Sequence, residues 1–315
     1  MKKFTLALIA LATPLFSDGD YDAWMTGPLL CPAYACLPKG SYNIEPYLYT
    51  NIVYGSYNRN WHERSQAQFL QVYNSTLIQV GITNNFNVSI SPQFNYQSLN
   101  NHSSANIADL PLQLYFTILN ENSKLPGLIL GIKATAPIGK FKNLNPDTAL
   151  VDAMGGGSWK PAVDITFGKK IHLYGVHFLT LRSNFTTQFR TKIPVSGFHA
   201  YGGGYHTRGT VTLGTQYTLI ASFEYSFSRH GVLAFDALWQ HNNKITYQGR
   251  AGFIDPAQTL RATNSAPSSE QLSIAPAVEY NFNDNVGLIA GVWFSIAGRN
   301  QQAFVSPTCA LNIEY

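Results

Sequence analysis

From Gly40 to the C-terminus the chain alternates apolar and polar residues with a period of two. That is the pattern of strands whose two faces meet different surroundings, and no helical period competes with it. Phe86, Val88, Ile90, Pro92, Phe94 and Tyr96 interleave with Asn87, Ser89, Ser91, Gln93 and Asn95. The run at 110–118 repeats the pattern, with Asp109, Gln113, Tyr115 and Thr117 opposite its leucines, and so does 272–282, with Gln271, Ser273, Glu279 and Asn281 on the polar side. The run at 286–296 carries Gly287, Ile289, Gly291 and Trp293 on its second face, which is therefore less polar.

About twelve such segments follow one another, starting near Tyr42, Gln66, Phe86, Asp109, Gly127, Trp159, Leu173, Gly209, Gly231, Gln271, Val286 and Ala303. Their connections sort into two kinds. Short ones are expected at 83–85, 120–126, 168–172, 228–231 and 283–285. Longer ones are expected at 57–64, 98–108, 138–158, 190–208 and 241–270, with 298–302 as a brief last member. An all-β antiparallel transmembrane barrel of about 12 strands has this organisation, with short periplasmic turns and longer extracellular loops. Hydrocarbon offers the backbone no partners, so strands can cross it only in a closed sheet. The segment 209–227 is longer than a crossing needs and 173–189 loses its phase midway, so a bulge or register shift is expected there.

Charged residues make up 12% of the 315, about half the ~25% of ordinary soluble domains. Mean hydropathy is nevertheless near zero, because Asn, Gln, Ser, Thr, Tyr and Gly replace the missing charge. Beyond the first sixteen residues no run approaches the roughly 18 to 20 apolar residues of a spanning helix, which excludes a helical membrane bundle. The aromatic content of 13% excludes a disordered chain. A net charge of +4 without a basic run gives no support to nucleic-acid binding.

The organisation expected is a signal peptide at 1–17, a periplasmic N-terminal segment at 18–40 and an outer-membrane barrel at 41–315. Met1-Lys2-Lys3, an apolar stretch from Phe4 to Phe16 and then Ser17-Asp18 have the form of a secretory signal. Cleavage is expected after Ser17, with Ala10-Leu11-Ala12 as an earlier alternative. Cys31 and Cys36 in Cys31-Pro32-Ala33-Tyr34-Ala35-Cys36 are expected to form a disulfide in an oxidising compartment; a metal site is the weaker reading, since no second Cys or His pair lies nearby. Counting back from Tyr315, Ile313, Leu311, Cys309, Pro307 and Val305 are apolar or lipid-compatible. This resembles the C-terminal signal of outer-membrane proteins, which implies the barrel-assembly machinery as a partner and places Cys309 against outer-membrane lipid. Tyr42, Tyr280, Phe282 and Tyr315 are expected in an interfacial girdle.

The interior face is expected to line a pore. Its residues from the first half of the chain are Glu45, Tyr47, Tyr49, Gln71, Gln93, Gln113, Tyr115 and Lys133, and those from the second half are Lys160, Asp164, Gln216, Glu224, Asp236, Gln271 and Glu279. The few charges are of both signs, with no ring of one sign to select ions. Small neutral solutes fit such a lining, and Tyr faces suit aromatic or apolar ones.

Asn101-His102-Ser103-Ser104-Ala105-Asn106 contains the residue types of a lipid-active barrel enzyme, but crowds them into one expected loop, so no catalytic residue is assigned. The glycine runs 155–157 and 202–204 lack the continuation of a phosphate loop. His199 and His206 read as loop histidines in preference to a metal site. No cofactor is expected.

Ala136-Pro137-Ile138-Gly139-Lys140-Phe141 and the following Gly155-Gly156-Gly157-Ser158-Trp159-Lys160-Pro161 resemble the strand-end Pro-x-Gly and Gly-rich return of a family labelled after the meta pathway of phenol degradation. Its members are exported barrels described as transporters. The resemblance covers about twenty-five residues and implies uptake of hydrophobic or aromatic compounds. The functional expectation is a passive outer-membrane channel. The alternative is a structural or adhesive surface protein with a plugged barrel.

Overall fold

The computed structural model describes residues 23–148 and 151–315. The expected signal peptide and its cleavage site lie outside the described residues. In chain order the strands are β1 (Tyr42–Tyr57), β2 (Glu63–Thr83), β3 (Phe86–Ile90), β4 (Gln93–Leu99), β5 (His102–Ile107), β6 (Leu110–Leu119), β7 (Gly127–Ala136), β8 (Lys160–Tyr174) and β9 (His177–Gln188). They continue as β10 (Lys192–His199), β11 (Gly202–Thr212), β12 (Gln216–Ser226), β13 (Gly231–Asn242), β14 (Thr246–Arg250), β15 (Ser269–Asn281), β16 (Val286–Arg299) and β17 (Gln301–Glu314).

Twelve crossings form a closed antiparallel barrel. β3 and β4 are two pieces of one crossing, both paired with β2. The break falls at Pro92, which has no N–H for the ladder. β5 and β6 make up the next crossing in the same way, pairing with β4 and β3. Closure comes from β1 pairing with β17 as well as β2, and Tyr42 and Tyr315 exchange backbone hydrogen bonds of 2.6 and 2.9 Å.

The wall is inverted relative to a soluble protein. On β8, Val163, Ile165 and Phe167 are exposed while Asp164 and Thr166 between them are buried inside. Only hydrocarbon makes the outward set favourable. Cys309 sits on the outward side of β17, and the exposed Tyr42, Tyr280, Phe282 and Tyr315 gather at the turn end of the wall.

The loop side is built up further. β10, β11 and β14 form a separate three-stranded sheet with its own small core of Ile193, Val195, Val211 and Leu213, packed by Phe141 and Tyr201. The connection 137–159 is held to the wall by Asp109, whose carboxylate accepts the N–H groups of Gly139 (3.1 Å) and Gly156 (2.7 Å) and lies 3.3 Å from the Lys160 ammonium. The Pro-x-Gly and Gly-rich stretches singled out in the sequence therefore meet on one buried carboxylate.

Three expectations are corrected. The turn expected at 168–172 lies at 175–176, because Gly168 is a wall residue: it pairs with Gly127, and the Tyr34 ring occupies the space where a side chain at either glycine would stand. The segment 209–227 is not one strand, since β11 belongs to the outer sheet and β12 starts anew at Gln216. Residues 98–108 form no loop, since β4 and β5 continue as a hairpin turning at Asn100 and Asn101. The N-terminal segment lies within the lumen from Thr26 to Cys36, bonded to β15, β13, β6 and the β6–β7 turn.

Candidate functional site: the lumen

The inner, turn-side half of the lumen is where charge gathers. An extended segment passing through a barrel has backbone N–H groups with no ladder to join, and buried donors must be satisfied. Wall carboxylates do this. Glu279 on β15 accepts the N–H of Thr26 and, at 2.6 Å, the Asn281 amide. Asp236 on β13 accepts the N–H of Leu30 at 3.1 Å and the Ser222 hydroxyl. Bonds to charged acceptors of this kind are roughly twice as strong as neutral ones. Arg182 on β9 pairs with Glu224 on β12 at 2.8 Å, and its guanidinium lies 5.3 Å from the Tyr34 ring centroid. The Tyr34 hydroxyl reaches Glu121 at 2.8 Å.

Between these anchors Leu29 packs on Ala234, Ala275, Ala277, Ile289 and Ala310. The weakly polar inner face of β16 finds its reason here. Gly287 and Gly291 leave room for Thr26 and Leu29, so the missing side chains form a seat.

Cys31 and Cys36 are not bonded to each other, which corrects the expected disulfide. The segment directs them to different parts of the wall: Cys31 is buried against Ile220 and Leu238, and Cys36 donates weakly to the Tyr115 carbonyl at 3.6 Å. Burial pushes the Cys31 thiol up to about 12.

All the expected lining residues fall on the inward side. Glu45, Tyr47, Tyr49, Gln113, Tyr115 and Lys133 border an inner cavity of about 330 Å³ shared with the N-terminal segment. Glu45 accepts the Tyr47 hydroxyl at 2.9 Å. Gln71, Gln93 and Gln271 border an outer cavity of about 430 Å³. Lys160 and Gln216 border a smaller one of about 130 Å³. Asp164, Glu224, Asp236 and Glu279 are instead buried in polar contacts, Asp164 between Lys133 at 3.0 Å and Asn184 at 2.7 Å.

Arg182 is absent from the expected set. Its signal exists, since Thr180, Arg182, Asn184 and Thr186 alternate inward, but placing a turn at 168–172 hides their phase. The remaining candidates do not converge. His102 is exposed on the β4–β5 hairpin. His199 is buried, with its Nε2 3.1 Å from the Asn264 side-chain oxygen, and burial lowers its pKa; His206 is exposed near Gln258.

No family model matches the sequence, and no curated protein is similar to it at a significant level. Among solved structures, an outer-membrane channel from Pseudomonas putida F1 superposes with a TM-score of 0.67 at 14% identity, over 90% of this chain and 98% of that one. The Pseudomonas putida toluene transporter TodX gives 0.37 at 12% identity, over 88% and 90%. The NanC porin gives 0.41 at 8% identity, over 84% and 98%. The likeness to the first is one of fold. Together with the closed wall and its outward apolar belt, it assigns the chain the architecture and the location of a bacterial outer-membrane barrel.

Proposed function

We propose that the protein is a channel for passive uptake of small uncharged solutes, hydrophobic or aromatic ones among them. The observation that carries this reading is the larger cavity on the loop side of the lumen, which is open and bordered by amide and aromatic side chains and by no charged one. A solute entering it meets no unpaired charge to desolvate. The superposition on an outer-membrane channel supports the same reading, and the local resemblance to exported transporter barrels points to hydrophobic compounds.

Liposome swelling with graded neutral solutes tests it. Entry is expected to fall off with solute size, and planar-bilayer currents are expected to show little preference for either ion sign. If neither the folded full chain nor a form lacking residues 23–39 admits solute, the reading fails. A specific observation favours a second reading, an occluded surface protein: the segment held in the inner lumen, together with the extra sheet over the loop side. That reading expects no entry at all.

A further inference from the structure

The outer cavity offers more hydrogen-bonding groups than a hydrocarbon can use. It is bordered by Asn51, Gln71, Gln93, Asn95, Gln271, Gln301 and Gln302 around the rings of Tyr73, Trp293 and Phe304. A side-chain amide both donates and accepts, unlike a carboxylate or an ammonium. A hydroxyl group has the same double need. A pure hydrocarbon leaves this capacity unused, whereas a hydroxylated ring satisfies it and so is held more tightly.

The rings are set to receive a flat partner. Tyr47, Tyr49 and Tyr73 form a parallel stack, with centroids 5.6 and 4.5 Å apart and planes within 12°. Tyr47 and Tyr49 border the inner cavity and Tyr73 the outer one, so the stack joins the two. Register explains it: Tyr47 and Tyr49 are alternate residues of β1, and Tyr73 is the cross-strand partner of Tyr49 on β2. Trp293 is held edge-on to Phe304 at 4.8 Å, its indole N–H fixed by Ser273 at 2.9 Å. The volume falls within the ~300–1,000 Å³ of small-molecule sites.

We infer that this outer cavity is a binding site for a neutral polyhydroxylated ring, a mono- or disaccharide, whose C–H face lies on Tyr73 or Trp293 and whose hydroxyls bond to the surrounding amides. The inference rests on the channel reading by naming a solute class for its entrance. Binding and passage are nonetheless measured separately.

The test uses the full chain, folded in a detergent without a sugar headgroup, with maltose as the probe and tryptophan emission as the readout. Maltose should produce a saturable change that is lost in Trp293→Phe. Tyr73→Ala should weaken binding by about tenfold, the scale of one lost stacking face. Gln71→Leu keeps the side chain's bulk and removes its amide; it should weaken maltose binding while leaving or improving the response to toluene, and Gln71→Asn should recover part of the loss. Heat-dependent gel mobility confirms that each variant is folded. The inference is overturned if maltose gives no saturable change, if binding is indifferent to Gln71→Leu and Tyr73→Ala, or if toluene saturates the wild-type site and maltose does not. Failure of swelling with maltose binding intact sinks the channel reading and leaves this site standing.

Discussion

The two halves of the lumen are lined by the same strands but hold different chemistry. Along β1 the inward residues change from Glu45 at the turn side to Asn51 further out, and along β15 from Glu279 to Gln271. On the inner side Asp236 and Glu279 are bonded to the chain's own N-terminal segment, Glu224 is paired with Arg182 and Glu45 accepts the Tyr47 hydroxyl; at the larger outer cavity the amides border open space. Charge in a confined lumen is costly unless compensated. Here it stands where the protein itself supplies the compensation, and neutral groups stand where a solute would have to.

Removing the inner segment should therefore produce the largest effect. Deletion of residues 23–39 behind an intact export signal is expected to raise single-channel conductance several-fold, since the inner half then has no occupant. It should also introduce cation preference, because Glu45, Asp236 and Glu279 become uncovered. An unchanged conductance would mean that the segment is not what restricts the lumen.

Next in size is the ion pair. Arg182 and Glu224 are both nearly inaccessible, and Arg182→Met leaves the carboxylate unpaired at a typical cost of ~3–5 kcal/mol. The readout is a lower temperature at which the folded gel band converts to the unfolded one. Glu224→Gln in the same chain should recover much of that loss. A single variant as stable as the wild type would show the pair to be dispensable.

Smaller still is the cost of filling a seat. Gly168→Leu puts a side chain where the Tyr34 ring lies, and overpacking of this sort costs ~1–3 kcal/mol. The wall around it stays paired, so the barrel should fold with its segment loosened, giving channel noise without loss of the mobility shift.

The barrel was legible in the sequence because lipid imposes period two on every strand it touches, and Val163, Ile165 and Phe167 obey it whatever the lumen contains. The lumen-facing set followed from the same alternation. What lay inside the barrel was not legible. Residues 26–36 have no period, and their partners are scattered from Tyr115 to Glu279, so only the closed wall brings them together. Glycine misled for the same reason. Gly168 reads locally as a turn, and its purpose is set by a ring more than a hundred residues away in sequence.

The cysteines provide the finest probe of the same contrast. In a Cys309→Ala background, which removes the lipid-facing thiol, the two remaining thiols differ in surroundings. Cys36 is half-buried, whereas Cys31 is buried with its thiol pushed up to about 12. A raised pKa keeps Cys31 protonated at neutral pH, and the thiolate is the reactive form. A maleimide should therefore label Cys36 first and Cys31 only after unfolding. With Gly168→Leu added, Cys31 should begin to react in the folded protein as the segment lifts. Equal labelling of both thiols in the wild-type wall would mean that the inner segment leaves the lumen readily, and the inner half would then be as open as the outer.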